Sequence, residues 1–128
     1  MEKETRTVTA DAATAEDLAM IRRHVLEICM SAGLDHDRCS QLGLAANEIT
    51  ANAIQYGGGH ARVVITAGIA QISVEVHDHG PGITVAKPER PEPTAPHGRG
   101  LWLAEQLCDG MPVASTARGT SIRLIMNR

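Results

Sequence analysis

Phenylalanine is absent from this 128-residue chain, and Tyr56 and Trp102 are its only aromatic side chains. That excludes a platform on which the bases of a single strand could stack. Positive charge is also scarce: 12 Lys and Arg face 15 Asp and Glu, a net charge of −3 at pH 7. A basic stripe able to grip a nucleic-acid backbone is excluded with it. No apolar run approaches the roughly 18 residues that a membrane span needs. The opening Met-Glu-Lys-Glu-Thr-Arg is charged and leads into no apolar stretch of the kind a secretory leader carries. Cysteine is sparse: Cys29, Cys39 and Cys108 are odd in number and outside any C-x-x-C spacing, which predicts buried or half-buried thiols rather than a disulfide framework or a zinc site. Together these features predict a cytoplasmic chain. Its length predicts one domain over residues 1–128, with a core burying about two-thirds of the unfolded surface.

What is present reads as alternating helix and strand patterns. Thr5–Thr9 suits a short edge strand. Asp11 or Thr14 is the expected cap of a helix over Ala15–Ser31, with Leu18, Ile21, Val25 and Ile28 at helical spacing and Gly33 as its stop. A second helix runs from Asp35 or Asp37 to Tyr56, with Leu42, Ala45, Ile49, Ala53 and Tyr56 as its inner stripe, and Gly57-Gly58-Gly59 closes it. Strands are predicted over Arg62–Ala67 and Gln71–His77, joined as a hairpin through Gly68. The stretch from Ile83 to His97 holds Pro88, Pro91, Pro93 and Pro96 and no apolar period, so neither a central strand nor a long helix fits there. A third helix follows from Gly98 to about Cys108, then two strands over Met111–Thr116 and Thr120–Met126. Hairpin-linked strands with grouped helices predict an α+β fold, the helices layered on one sheet face.

Three local patterns carry candidate chemistry. Glu48 and Asn52 lie four apart on the second helix, so they stack on one face. They sit about 100° around from the apolar stripe and therefore flank the core. A carboxylate there suits a proton acceptor, and an amide oxygen suits a hard-cation ligand; a solvated helix face reads the same way. Asp78-x-Gly80-x-Gly82 follows a strand. It reads either as a tight surface turn or as a carboxylate for an exocyclic amine, with glycines letting a flat ring approach the backbone. Gly98-Arg99-Gly100-Leu101 opens a helix, where free N–H groups and the positive dipole end attract phosphate. It lacks the ending of a P-loop and the βαβ setting of a dinucleotide fingerprint. His77 and His79 alternate in metal-ligand fashion, but no third ligand stands at matching spacing.

The order of these patterns matters more than any one of them. Glu-Ile-Thr-Ala-Asn-Ala, Asp-His-Gly-Pro-Gly-Ile, Gly-Arg-Gly-Leu-Trp-Leu and Gly-Thr-Ser-Ile-Arg-Leu, from about Leu42 to Leu124, resemble the four nucleotide-binding boxes of the GHKL ATPase superfamily. The small size and the short Pro-rich segment between the second and third boxes look most like the bacterial anti-sigma factor serine/threonine kinases. The resemblance implies a two-layer, Bergerat-type sandwich of about three helices on a mixed, mostly antiparallel sheet, and binding of ATP or ADP with magnesium. It implies that Asn52 is the magnesium ligand and that Glu48 is the base for the attacking hydroxyl. Asp78 matches the reader of the adenine amino group, in a box that also holds Gly80, Gly82 and Ile83. Gly98, Arg99, Gly100 and Leu101 match the helix start around the phosphates, and Thr120 supports the adenine side. Residues 83–97 match the ATP lid. Trp102 departs from many histidine kinases, which carry a small residue there.

Two functions of different class follow. One is an ATP-dependent serine/threonine kinase whose substrate is a small anti-anti-sigma (STAS-like) protein, with sequestration of a sigma factor as an added role. The other is a nucleotide-dependent binding module that captures a sigma factor or activates a phosphatase without phosphoryl transfer. The resemblance admits a homodimer and implies neither membrane nor direct nucleic-acid contact. A histidine kinase reading is not expected, because no dimerising two-helix segment fits before a domain that starts near Thr5, and His24 is expected on a helix surface.

Overall fold

Capping residues set the first helix boundaries. The computed structural model describes residues 5–80 and 99–128. In it Thr14, not Asp11, caps α1 (Ala15–Ser31). Thr14 Oγ1 accepts from the Asp17 N–H at 3.2 Å, while Asp17 Oδ2 accepts from the N–H groups of Thr14 (3.1 Å) and Ala13 (2.9 Å). This reciprocal box satisfies donors that the helix itself leaves orphaned. The Ala13 N–H and then the Thr14 side chain hold the Asp17 carboxyl below its usual range. Asp35 caps α2 (His36–Tyr56), its Oδ1 accepting from the Arg38 N–H at 2.8 Å.

The strands are β1 (Arg6–Ala12), β2 (Ala61–Ala67), β3 (Gln71–His77), β4 (Val113–Thr116) and β5 (Gly119–Asn127), with α3 (Arg99–Leu107) between β3 and β4. They form one sheet in the order β1-β2-β3-β5-β4, antiparallel throughout. The α+β sandwich expected from the sequence is therefore the observed one, with three helices against a five-stranded antiparallel sheet among the described residues. The edge strand β1 extends past Thr9 because its ladder to β2 continues to Ala12↔Ala61; pairing there overrides weak local propensity. At the other edge β4 begins only after Pro112, which has no N–H to give a ladder.

Period-two alternation sorts the side chains. The rows Val8–Ile65–Val74–Leu124 and Ala10–Val63–Val76–Ile122 face the helices. The opposite rows Thr9–Val64–Glu75–Arg123 and Asp11–Arg62–His77–Ser121 are mostly polar and half-buried or exposed. Against the apolar face pack Ile21, Val25 and Ile28 of α1, Leu42, Ala45, Ile49 and Ala53 of α2, and Ala104 of α3. Each large aliphatic among them stabilises the fold by about 1.5–3 kcal/mol. Tyr56 departs from the expected stripe: it is 40% exposed. His24, expected on the surface, is half-buried.

Cys29 and Cys39 are buried and Cys108 is half-buried. Burial pushes the Cys29 thiol up to about 12, with the adjoining Cys39 thiol adding to the rise. Burial, reinforced by the Asp109 charge, does the same for Cys108. Such thiols are protonated and poorly nucleophilic. Among the described residues no helix is long and apolar enough to cross a membrane.

Candidate functional site

Helix α2 is the spine of the site, because two of its segments each meet one of the sequence patterns. Glu48 and Asn52 are half-buried, one turn apart, beside the buried Ile49 and Ala53. Their side chains reach the start of α3: a Cβ on Gly100 would stand 2.9 Å from Asn52 Nδ2 and 3.3 Å from Glu48 Oε2. The missing side chain at Gly100 is what lets the two helices close on this polar pair. Among the described residues neither Glu48 nor Asn52 has a hydrogen-bonding or ionic partner.

About 7 Å further along the helix axis, at 1.5 Å per residue, the C-cap of α2 meets the turn after β3. Asp78 is half-buried there. Its Oδ1 accepts from the N–H of Gly80 at 3.0 Å and of Thr120 at 3.2 Å. Its own N–H donates to Thr120 O at 2.9 Å. One carboxylate oxygen is thus held by two backbone donors, and Oδ2 has no hydrogen-bond partner among the described residues. Thr120 is buried, and its Oγ1 lies 3.0 Å from Ser115 Oγ across the β4–β5 hairpin.

Backbone crowds around this carboxylate. A Cβ on Gly57 would lie 2.5 Å from Asp78 Oδ2, one on Gly80 would lie 3.1 Å from Tyr56 O, and one on Gly119 would lie 3.1 Å from His79 Cα. Gly119 also has φ +152°, which a side chain rarely allows. The α2 cap, the Asp-x-Gly turn and the β4–β5 hairpin therefore meet glycine to glycine.

The structure brings Glu48, Asn52 and Gly100 together as one group, and Asp78, Gly80 and Thr120 as another. Leu101 turns inward and packs on the core edge. Arg99 is the first residue of α3. Gly82, Ile83, Gly98 and the expected lid over 83–97 lie outside the described residues. Among the described residues no group of three His, Cys, Asp or Glu could hold a metal. His77 pairs with Glu75 of its own strand at 3.6 Å, and His79 is exposed beyond it. Sequence reasoning took Gly57 only as part of a helix stop and Gly119 only as the first residue of the fourth box. The available signal was three successive glycines where one ends a helix.

The family described as histidine kinase-like ATPase domain matches residues 12–126. No curated protein matches the chain. The crystal structure of the RsbU and RsbW domains of Rv1364c from Mycobacterium tuberculosis is similar over 98% of this chain and 33% of its own, with a TM-score of 0.68 and 22% identity. The histidine kinase domain of the blue-light activated histidine kinase EL346 from Erythrobacter litoralis is similar over 90% of this chain and 64% of its own, with a TM-score of 0.61 and 18% identity. The chain thus spans a third of the first and under two thirds of the second, and at these identities the likeness is one of fold.

Proposed function

The chain belongs to the family of histidine kinase-like ATPase domains, and we propose that it acts as an ATP-dependent serine/threonine protein kinase of the anti-sigma factor type. The family implies ATP binding, usually with magnesium. The observation that carries the finer reading is the half-buried, unpartnered Glu48 and Asn52 against the start of α3. A carboxylate at that point serves proton removal and adds nothing to holding an anionic nucleotide.

The residues present fit a magnesium nucleotide. Asp78 Oδ2, left over after Oδ1 takes two N–H donors, can accept from the adenine amino group. Gly80 lets the turn close against the α2 cap at Gly57, and Thr120 steadies the turn through its N–H and carbonyl. Asn52 would hold the magnesium through its amide oxygen, and the N-terminal end of α3 at Arg99–Leu101 would donate to phosphate oxygens. Bound magnesium supplies charge neutralisation on the phosphates. Glu48 takes the proton of the attacking serine or threonine hydroxyl as the oxygen–phosphorus bond forms, the bond to the β-phosphate oxygen breaks, and ADP departs.

The proposed substrate is a small anti-anti-sigma protein of the STAS type. The fold shared with a chain that carries an RsbW domain supports this partner. The proposed working unit is one domain over residues 1–128, with 83–97 as its lid. The test is transfer of labelled γ-phosphate from magnesium ATP to serine or threonine of a STAS-domain partner captured by this protein. Phosphorylated partner is the expected result. Nucleotide-dependent capture of a sigma factor with no transfer to any captured protein would overturn the kinase in favour of the binding module.

A further inference from the structure

We infer that Gly57 is a positioning residue for Asp78, and that through Asp78 it sets the preference for an adenine over a guanine nucleotide. The inference rests on the reading of Asp78 as the adenine anchor and adds a residue that no motif assigns.

Gly57 is not glycine for the sake of a left-handed φ. Its φ of −108° and ψ of 30° are open to ordinary residues, in contrast to Gly58 at φ +93° and Gly59 at φ +85°. The closure of α2 therefore needs glycine at 58 and 59, where left-handed backbone excludes a side chain. At 57 the exclusion comes both from the Ala53 carbonyl of the same helix and from Asp78 opposite. An added Cβ would overlap Asp78 Cγ, stand 2.5 Å from Asp78 Oδ2, and crowd Ala53 O.

Neither side of that contact yields easily. Gly57 is held by its N–H to Ala53 O at 2.8 Å. Asp78 is held at Oδ1 by Gly80 and Thr120. Gly80 is itself so close that a Cβ on it would overlap Gly57 Cα. With one oxygen fixed and the ring of backbone closed on the other side, the carboxylate plane has one seat, and Gly57 forms its floor. A methyl at 57 would rotate Oδ2 off that seat. The lost interaction is a directional hydrogen bond to a charged acceptor, which adenine makes through its amino group and guanine, with a carbonyl at that position, cannot.

The experiment measures the ratio of ATP to GTP affinity, with magnesium, in the full chain. The parent should prefer ATP, and Gly57→Ala should lower the ratio by about tenfold or more, the range of one charged hydrogen bond. Gly59→Ala is the control. It strains the backbone with nothing within 4 Å of the new Cβ, so it should weaken folding and leave the ratio unchanged. In an Asp78→Asn background, Gly57→Ala should change the ratio little further, because both act on one contact.

A parent ratio retained by Gly57→Ala, an additive effect in the Asp78→Asn background, or an equal loss in Gly59→Ala would each overturn the inference while leaving Asp78 as anchor. A parent that does not distinguish ATP from GTP overturns the anchor and the inference together. If Gly57→Ala does not fold, Asp78→Gly added to it should restore folded protein. Failure of that rescue would assign the clash to Ala53 O and overturn the inference.

Discussion

The two ends of the sheet are held by opposite means. At the end where β3 starts and β5 finishes, long cationic side chains do the tying. Arg38 Nη2 donates to Asp109 Oδ2 at 3.1 Å and to the Asn127 carbonyl, and the Asn127 N–H donates to the same carboxylate at 2.7 Å. Arg128 bridges Gly68 O at 2.9 Å and the Ala32 carbonyl, joining the β2–β3 hairpin to the end of α1. At the end where β3 finishes, glycine backbones press together around Asp78, and the carboxylates of Glu48 and Asp78 have no cation among the described residues. Glycine packing holds elements in place without covering the polar groups between them, whereas arginine ties consume every carbonyl and carboxylate they reach. One end is built for cohesion, and the other keeps its acceptors available.

The comparison breaks first at Glu48. Glu48→Gln keeps size and reach but removes the proton-accepting charge. Transfer to the captured partner should fall by about 10²- to 10⁴-fold while ATP affinity and the melting temperature stay near the parent's. Equal transfer rates in parent and variant would remove Glu48 as base and leave the kinase standing.

Asp78→Asn comes next. It should cost ATP about 10- to 100-fold in affinity, from a charged hydrogen bond of about 1.5–3 kcal/mol, and cost GTP much less. Calorimetric titration with both nucleotides reads the difference. The stabilisation that saturating ATP gives the parent by mass action should shrink with it.

The arginine end should behave in the opposite way. Arg38→Ala should lower unfolding free energy in urea by about 1 kcal/mol, a modest figure because Arg38 and Asp109 are 35% and 40% exposed. Nucleotide affinity should not change. A drop in affinity would mean that the two ends are coupled through α2, whose first turn holds Arg38.

The smallest expected effect sharpens the cap of α1. The Asp17 carboxyl titrates below its ordinary 3.8 because the Ala13 N–H, then Thr14, favour its charged form. A folded-state pKa lower than the unfolded one gives stability that is present above the unfolded value and lost as pH falls through the folded one. The stability difference between the parent and Asp17→Ala should therefore be constant near neutral pH and shrink below about pH 4. Urea unfolding at several pH values checks it.

Much of this architecture was legible from neighbours along the chain. Apolar spacing marked α1 and α2 nearly to the residue, since a helix buries one stripe whatever it packs on. Strand alternation marked β2 and β3, and Thr14 and Asp35 stood where caps are required. Glu48 and Asn52 were legible as a pair because four residues make one helical turn. Tyr56 was misread as core, because periodicity cannot tell where the layer beneath a helix ends.

Spacing along the chain fixes which side chains share a face, so the sequence by itself determined the elements, their buried stripes and the polar pair on α2. The strand order β1-β2-β3-β5-β4, the closeness of Gly100 to Asn52 and Glu48, and the meeting of Gly57, Gly80 and Gly119 at Asp78 were decided only by the tertiary structure. Gly57 and Gly119 lie 21 and 41 positions from Asp78, and Gly100 lies 48 from Asn52 and 52 from Glu48, and no local pattern encodes those contacts. They exist because α2 and the sheet bury their apolar faces against each other, and that packing carries one end of the helix to the turn where the acceptors lie.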